Sequence, residues 1–457
     1  MSQPHRIAII GAGPAGFYTA EALLKQAKVD ISIDLIDALP APYGLVRYGV
    51  APDHQKIKSV TKIYEKLFGD KRLRYLGNVH FGRDLSYEEL KAHYDAVVYT
   101  VGAASDRQLG IAGEDLGSSL SATQFVAWYN GHPDYVNLNP KLDMKAVAVI
   151  GMGNVAVDVC RILARHVDEL AKTDIADHAL EALRESQVED IYMIGRRGPA
   201  QTKFTTKELR ELAEMVNADV IVKAADLELD ELSQAEAEKD INTKNNLKVL
   251  HEIVDQGVQN KPRRLHIRFL QSPKEILGER EVEGLVLEHN RLINHNGESK
   301  AVGTGEFETL PVGMVLRSVG YRGEPLAGVP FHEKWGIIPN EAGRVSTLEG
   351  HIRQGEYCAG WIKRGPSGVI GSNKPDAVET AEKLLEDLAT LPRIDQKLSD
   401  PQNVDKLLKL KGVEVINFED WQHLNALELK AGEVLGRPRV KFVTRSEMIE
   451  ACTKSPV

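Results

Sequence analysis

Cysteine is nearly missing from this chain of 457 residues: Cys160, Cys358 and Cys452 are its three, and they lie far apart. That excludes a disulfide scaffold, a Cys-x-x-Cys redox pair and a cysteine-ligated iron–sulfur cluster, and no metal site is expected. If the protein moves electrons, it does so on a bound organic cofactor. A basic surplus is missing too. With 57 Lys and Arg against 66 Asp and Glu, the net charge of -9 argues against a general binder of nucleic acid or anionic membranes, though a local basic patch is compatible with it. Long hydrophobic runs are absent at the start, where Met1 to Arg6 lead into an apolar stretch of five residues, too short for a secretory segment or a membrane span. The expected location is the cytoplasm. No repeat of 20–50 residues and no low-complexity segment marks a solenoid or a scaffold tail.

What is present is a globular composition, 42% hydrophobic, at a length that suggests about two to four domains. A short apolar run, a glycine cluster and a helix-like segment occur in that order twice, at Arg6–Ile10 before Gly11 and at Ala146–Ile150 before Gly151. Each is the opening of a βαβ unit. Further strands are expected at Asp95–Val101, Met314–Val319 and Glu356–Gly360, a helix over Asp53–Phe68 and another from Asp376. The stretch around Ser118 and Ser119 reads as connection, and the tail to Val457 as mixed helix and strand. The segment after Trp361 is expected to fold back on the first unit, which otherwise has too few strands to cover its sheet. The fold class is therefore α/β, with two Rossmann-like dinucleotide-binding domains on parallel sheets: residues 1–105 plus 325–457, discontinuous in sequence, and residues 106–324.

In Gly11-Ala12-Gly13-Pro14-Ala15-Gly16, the first glycine permits a tight turn, the second admits a pyrophosphate to the backbone, and the third lets helix and strand approach. The next strand, Ile31–Ile36, ends in Asp37, about 20 residues on, where an acid accepts hydrogen bonds from a ribose hydroxyl. In the second fingerprint, Gly151-Met152-Gly153-Asn154-Val155-Ala156, alanine replaces the third glycine. Its following strand, Asp190–Ile194, ends in Gly195-Arg196-Arg197. Two guanidinium groups there suit a 2'-phosphate that a carboxylate would repel, so the second site should prefer NADP to NAD; a solvated surface turn is the plain alternative. The long interval before Arg196 requires an insertion at roughly Thr173–Val188. Together the sites fit FAD in the first and NADPH in the second. The loops Pro40–His54 and Gly360–Gly371, rich in glycine and proline yet carrying aromatic and basic groups, are binding candidates. Trp361 either lies against a flat cofactor ring or packs in a core.

These fingerprints resemble, together with Leu45-Val46-Arg47, Ala51-Pro52-Asp53-His54, Gly195-Arg196-Arg197-Gly198, Phe204 to Glu211 and the Gly360–Gly371 loop, the adrenodoxin-reductase type of ferredoxin-NADP reductase, particularly its bacterial members. The likeness is strongest over residues 1–375. It implies hydride transfer from NADPH to FAD and then single electrons to a ferredoxin or similar small acidic iron–sulfur protein. By motif position it implies FAD contacts at Gly11, Gly13, Gly16, Asp37, Leu45, Phe81, Trp361, Gly368, Val369 and Ile370. For NADP it implies Arg107, Gly153, Asn154, Val155, Arg196, Arg197, Glu208 and Gly368. His54 and Glu211 match the family's catalytic pair, which relays protons or positions charge near the flavin. Without the resemblance they read as a helix-capping histidine and a solvated glutamate. Residues 225–240 are acidic where eukaryotic members present a basic docking face, which shifts the expected docking to Lys203, Lys207 and Arg210, or to Lys56, Lys58 and Lys62. A monomer is expected. Three other readings stand beside this one. A pyridine nucleotide-disulphide reductase needs a redox cysteine pair that this chain does not carry. Another NADPH-dependent flavin oxidoreductase, such as a monooxygenase, finds no sign of a substrate pocket in the Trp361 loop. The third is an electron-transfer or sensing module that binds both cofactors without ferredoxin turnover.

Overall fold

The computed structural model describes residues 3–26 and 29–453; Met1, Ser2 and the last four residues of the tail lie outside them. Among the described residues, two sheets organise the chain. The first has the order Asn340–Glu341, Arg344–Ser346, Ile352–Cys358, Ala96–Tyr99, His5–Ile10, Ile31–Ile36, Leu73–Leu76, with its last five strands parallel. The second, Ser119–Ser121, Met314–Arg317, Ala146–Ile150, Asp190–Ile194, Arg263–Arg268, Ala218–Val222, is parallel throughout. The two antiparallel strands at the edge of the first sheet qualify the expectation of purely parallel sheets.

Both sheets are buried on both faces, so their strands are apolar without alternation. Ile7 and Ile9 point into one core while Ala8 and Ile10 point into another. Val147 and Val149, against Ala148 and Ile150, repeat the arrangement in the second sheet. In each sheet the strand before the glycine cluster lies between the next strand in sequence and one returning from much later. The carboxyl ends of the two central strands therefore diverge at a topological switch point, where α/β sheets bind ligands. The crossover between lobes is the short antiparallel pair of Ser105–Asp106 with Tyr321–Arg322.

The segment after Trp361 does fold back: the helix Asn373–Asp387 packs along the helix Pro14–Leu24. Other expectations need correction. The helix over Asp53–Phe68 is broken into Gln55–Lys58, Thr61–Glu65 and a 3-10 turn at Lys66–Gly69. The supposed connection at Ser119 is an edge strand leading into the helix Ala122–Tyr129. The strands expected at Asp95–Val101, Met314–Val319 and Glu356–Gly360 are Ala96–Tyr99, Met314–Arg317 and Ile352–Cys358. The tail forms the helices Pro401–Leu410, Phe418–Val434 and Arg445–Thr453, with an isolated bridge from Ile416 to Gly77 rather than a strand. Three long antiparallel strands, Gln271–Leu277, Gly284–His295 and Glu298–Leu310, form a separate sheet.

The tail ties the lobes together. Buried Glu428 accepts two hydrogen bonds from Arg47 at 2.9 and 2.5 Å. Arg437 bonds the carbonyl of Thr173 and pairs with Asp177, and Lys441 Nζ lies 3.2 Å from Asp174 in the second lobe. Arg47 is thus spent on packing, which corrects its reading as a binding candidate.

Candidate functional site

At the first switch point, Gly11 has φ +109°, and a Cβ there would stand 2.6 Å from the carbonyl oxygen of Thr100 on the neighbouring strand. A Cβ on Gly16 would stand 2.1 Å from the carbonyl oxygen of Gly11, so this glycine allows the helix to approach the strand. Gly13 differs: nothing lies within 4 Å of its Cβ position, and it caps the helix Pro14–Leu24 without a side-chain bond. The open space therefore faces a helix N-terminus, whose free amide hydrogens and dipole suit a pyrophosphate. Asp37 stands at the end of the next strand, its carboxylate accepting from the amides of Ala12 (2.7 Å) and Leu39 (2.9 Å). Burial pushes it up to about 6 against those hydrogen bonds. The loop after it leans on the cradle, since Tyr43 N donates to the Ala12 carbonyl and a Cβ on Gly44 would come within 3.1 Å of Gly13 Cα. Leu45 follows, half-buried. From the far side, Gly360 closes on Ala15, its Cβ position 2.5 Å from that methyl group, and its amide donates to Asp376.

The second switch point repeats the construction. Gly151 has φ +145° with a Cβ position 2.2 Å from the carbonyl oxygen of Ser318, and Gly153 is open. The Asn154 side chain accepts from Thr205 N at 2.8 Å, holding the next segment beside the cradle; Val155 is half-buried and Ala156 fully buried. At the end of the following strand, the turn carrying Arg196 and Arg197 is held by its backbone. Asn290 Nδ2 donates to the Arg196 carbonyl (2.8 Å), and Leu270 N to that of Arg197 (3.1 Å). Among the described residues no carboxylate comes within ion-pair distance of either guanidinium; burial and the adjacent Arg196 press Arg197 below its ordinary pKa. Arg107 sits at the crossover, its amide donating to the Gly320 carbonyl (2.9 Å) and its side chain exposed.

Between the lobes lies the pair anticipated at His54 and Glu211, with Nε2 and Oε2 2.8 Å apart. Around it is an ionic cluster that sequence reasoning missed, centred on fully buried Arg161 of the helix Asn154–Ala164. Arg161 grips Asp53 of the first lobe and reaches Asp158, Glu208 and Glu211 of the second. Burial pushes Asp53 up, but the hydrogen bonds and charge of Arg161, with Arg165, outweigh it and hold the carboxyl at about 2. Asp158 is pushed up by burial to about 6 against the pull of Arg161. Burial also raises Glu211, yet the hydrogen bond from His54 and the charges of Arg161 and Lys207 leave it below the usual carboxylate range. Glu208, expected at NADP, stands in this cluster. No feature of the sequence marked Arg161 or Asp158, whose spacing of three is common on any helix.

The remaining positions divide. Trp361 is half-buried, its ring tilted against Tyr321 of the crossover at 5.1 Å and its Nε1 donating to the Ser367 carbonyl (3.2 Å). Gly368, at φ +80°, and Val369 are exposed, and Ile370 is half-buried against the first lobe's core. Phe81 is buried against Tyr99, ring centroids 5.9 Å apart. Lys58 leaves the basic docking cluster: it is buried and bonds Asp174 at 2.7 and 2.9 Å.

The comparisons agree with this geometry. The family model described as pyridine nucleotide-disulphide oxidoreductase matches residues 5–194. The chain is 45% identical over 457 residues to NADPH-ferredoxin reductase FprA of Mycobacterium tuberculosis, covering 98% of this chain and 99% of that one. It is 41% identical over 468 residues to the mitochondrial NADPH:adrenodoxin oxidoreductase of Arabidopsis thaliana, covering 98% and 96%. The solved structure of Mycobacterium tuberculosis FprA in complex with NADPH superposes with a TM-score of 0.93 at 44% identity, over 99% of this chain and all of that one. The disulphide half of the family model's description finds no counterpart, because the three cysteines are free, buried and separate.

Proposed function

From a chain that belongs to the family of NADPH-ferredoxin reductases and NADPH:adrenodoxin oxidoreductases, we infer an FAD-containing enzyme that takes hydride from NADPH and releases single electrons to a ferredoxin-type iron–sulfur protein. The observation that carries this is the pair of open glycine cradles at two switch points, one followed by a carboxylate and the other by two guanidinium groups that, among the described residues, form no close ion pair. When bound, flavin supplies the conversion of a two-electron hydride into two one-electron steps.

In this reading Gly11, Gly13, Gly16 and Asp37 hold the FAD adenosine and pyrophosphate, with Leu45, Phe81, Trp361 and Gly368 to Ile370 around the rest. Gly153, Asn154 and Val155 take the NADP pyrophosphate, Arg196 and Arg197 its 2'-phosphate, and Arg107, Glu208 and Gly368 lie along its path. His54 and Glu211 hold a proton at the interlobe face. The strand memberships support a division into residues 1–105 plus 325–457 for FAD and residues 106–324 for NADP. We place the enzyme in the cytoplasm and take it to be a monomer, which sedimentation should report as a species of about 50 kDa, the mass of one chain. No helix of the described residues is long and apolar enough to cross a membrane.

The purified protein should be yellow, bleach on anaerobic addition of NADPH, and reduce cytochrome c only when a ferredoxin is added. Bleaching without ferredoxin turnover would identify a sensing module, and a colourless protein that takes up no FAD would end the reading.

With Lys58 removed, the basic groups left for an acidic partner are Lys56 and Lys62, beside exposed Ile57 and Ile63, on one lobe, and Lys203, Lys207 and Arg210 on the other. Electron transfer to ferredoxin should therefore slow as ionic strength rises from about 10 mM to about 150 mM, where the screening length falls from about 30 Å to about 8 Å. At saturating NADPH, reduction of a neutral quinone should not change. A flat ferredoxin response would remove both clusters from the docking face.

A further inference from the structure

The guanidinium of Arg161 has five N–H hydrogens and no acceptor. Five carboxylate contacts surround it. Nε donates to Asp53 Oδ2 (2.8 Å), and Nη2 donates to Asp53 Oδ1 (3.1 Å) and Asp158 Oδ1 (2.7 Å). Nη1 donates to Glu208 Oε2 (3.2 Å) and faces Glu211 Oε2 (3.5 Å). Four of these contacts are hydrogen bonds and the fifth, to Glu211, is an ion pair; the two Nη2 hydrogens face Asp53 and Asp158, although Nη2 also lies 3.1 Å from His54 Nε2. A guanidinium nitrogen cannot accept from the ring, so a bond there would require a bare Nε2, whose lone pair would then face the Glu211 carboxylate with no hydrogen between them. The partner of Nε2 is then Glu211 Oε2 at 2.8 Å. An ionised carboxylate only accepts, so the hydrogen of that bond sits on Nε2.

We propose that Arg161 is the positioning residue of the His54–Glu211 pair: by committing its Nη2 hydrogens to Asp53 and Asp158, and holding Glu208 and the charge of Glu211 beside Nη1, it favours the Nε2–H tautomer of His54 and leaves Nδ1 as the open acceptor. The nearest carboxylate to Nδ1 is Asp158, 4.0 Å away and too far for a hydrogen bond. Asp53 belongs to the first lobe, whereas Asp158, Glu208 and Glu211 belong to the second. The tautomer is therefore set only while the lobes are docked.

The tautomer assignment stands on these contacts alone; its consequence for rate rests on the functional reading above. Two-bond nitrogen–proton correlation on holoenzyme labelled in histidine tests the first at pH above 7, with the His54 signal identified by its loss in His54→Gln. Wild type should show a protonated Nε2 and an unprotonated Nδ1. Asp158→Ala, which leaves Arg161 in place, frees one Nη2 hydrogen to turn toward Nε2 and should move His54 toward the Nδ1–H form. Arg161→Lys keeps the charge but not the fork, and should mix the tautomers.

Stopped-flow flavin bleaching at saturating NADPH tests the second. Arg161→Lys should slow it about tenfold with the NADPH KM unchanged, and by less than about twofold when His54→Gln is already present, because general acid–base groups act as a unit. An Nδ1–H tautomer in wild type, or spectra unmoved in both variants, would overturn the proposal. So would an Arg161→Lys penalty that persists in full on the His54→Gln background, which would make Arg161 an interlobe support only. If Arg161→Lys does not fold, the Asp158→Ala spectrum decides. A wild-type protein with the expected tautomer but no bleaching by NADPH would sink the functional reading and uphold the tautomer.

Discussion

Replacing Gly13 by valine is expected to yield a folded protein that cannot hold FAD. The backbone at Gly13, φ -86° and ψ -175°, is one that any residue adopts, and its Cβ position meets nothing within 4 Å. The side chain therefore costs the apoprotein little. It fills the space over the N-terminus of the helix Pro14–Leu24, where the pyrophosphate would take its amide hydrogens. Losing two or more charge-assisted hydrogen bonds, each about 1.5–3 kcal/mol, means at least about 3 kcal/mol, or over a hundredfold in affinity. Gly16→Ala should behave differently, because its Cβ would stand 2.1 Å from the Gly11 carbonyl oxygen and must push helix from strand. Gly153→Val, at the matching open position, should keep the yellow colour and lose NADPH. Flavin absorbance after gel filtration and the melting temperature of each apoprotein separate the three. A yellow Gly13→Val protein with wild-type flavin content would refute the assignment of the first cradle.

The features that those substitutions address were legible because they are local. A glycine whose Cβ would strike the neighbouring strand, and a strand buried on both faces, each leave a mark within about ten residues of sequence. What was not legible depended on distant partners. Arg161 sits on an amphipathic helix, and an arginine there reads as solvated unless Asp53, 108 residues away, is known to face it. The same holds for Lys58, whose partner Asp174 is 116 residues off, and for Arg47, neutralised by Glu428 in a tail without motifs. The break after Lys58 carries no proline or glycine, so nothing in Asp53–Phe68 announced it. The strand Glu298–Leu310 was missed because it is exposed over most of its length and shows little alternation.

The capping reading of His54 is the one that this long-range information removes. A capping histidine would bond the first turn of its helix, and His54 precedes Gln55–Lys58 without such a bond. Its ring is instead buried against Glu211 on the other lobe. A local capping role does not account for a contact that closes only when two separately built lobes meet, and the His54→Gln comparison above separates a proton-holding role from an interlobe support.

The Arg196→Ala/Arg197→Ala double variant is expected to raise the KM for NADPH about a hundredfold while leaving turnover with NADH nearly unchanged. Each guanidinium is credited with one charge-assisted contact to the 2'-phosphate at the low end of the usual range, because both side chains retain solvent access; two contacts of about 1.5 kcal/mol give somewhat over ~100-fold. The turn should survive the truncation. Its carbonyls are held by Asn290 Nδ2 and Leu270 N, and Gly195 N donates to the Arg268 carbonyl at 2.9 Å, so the backbone does not depend on the deleted atoms. The 2'-phosphate is remote from the reacting carbon of the nicotinamide, so its contacts are the same in ground and transition states and the loss should fall on KM rather than kcat. The two like charges repel and burial disfavours the charge on Arg197, against the pull of Glu236 and Glu298, so the apoprotein should lose little stability without them. Melting temperature therefore serves as the control: a fall of several degrees would show that the arginines support the fold, and an equal rise in KM for NADPH and NADH would show that they do not read the 2'-phosphate.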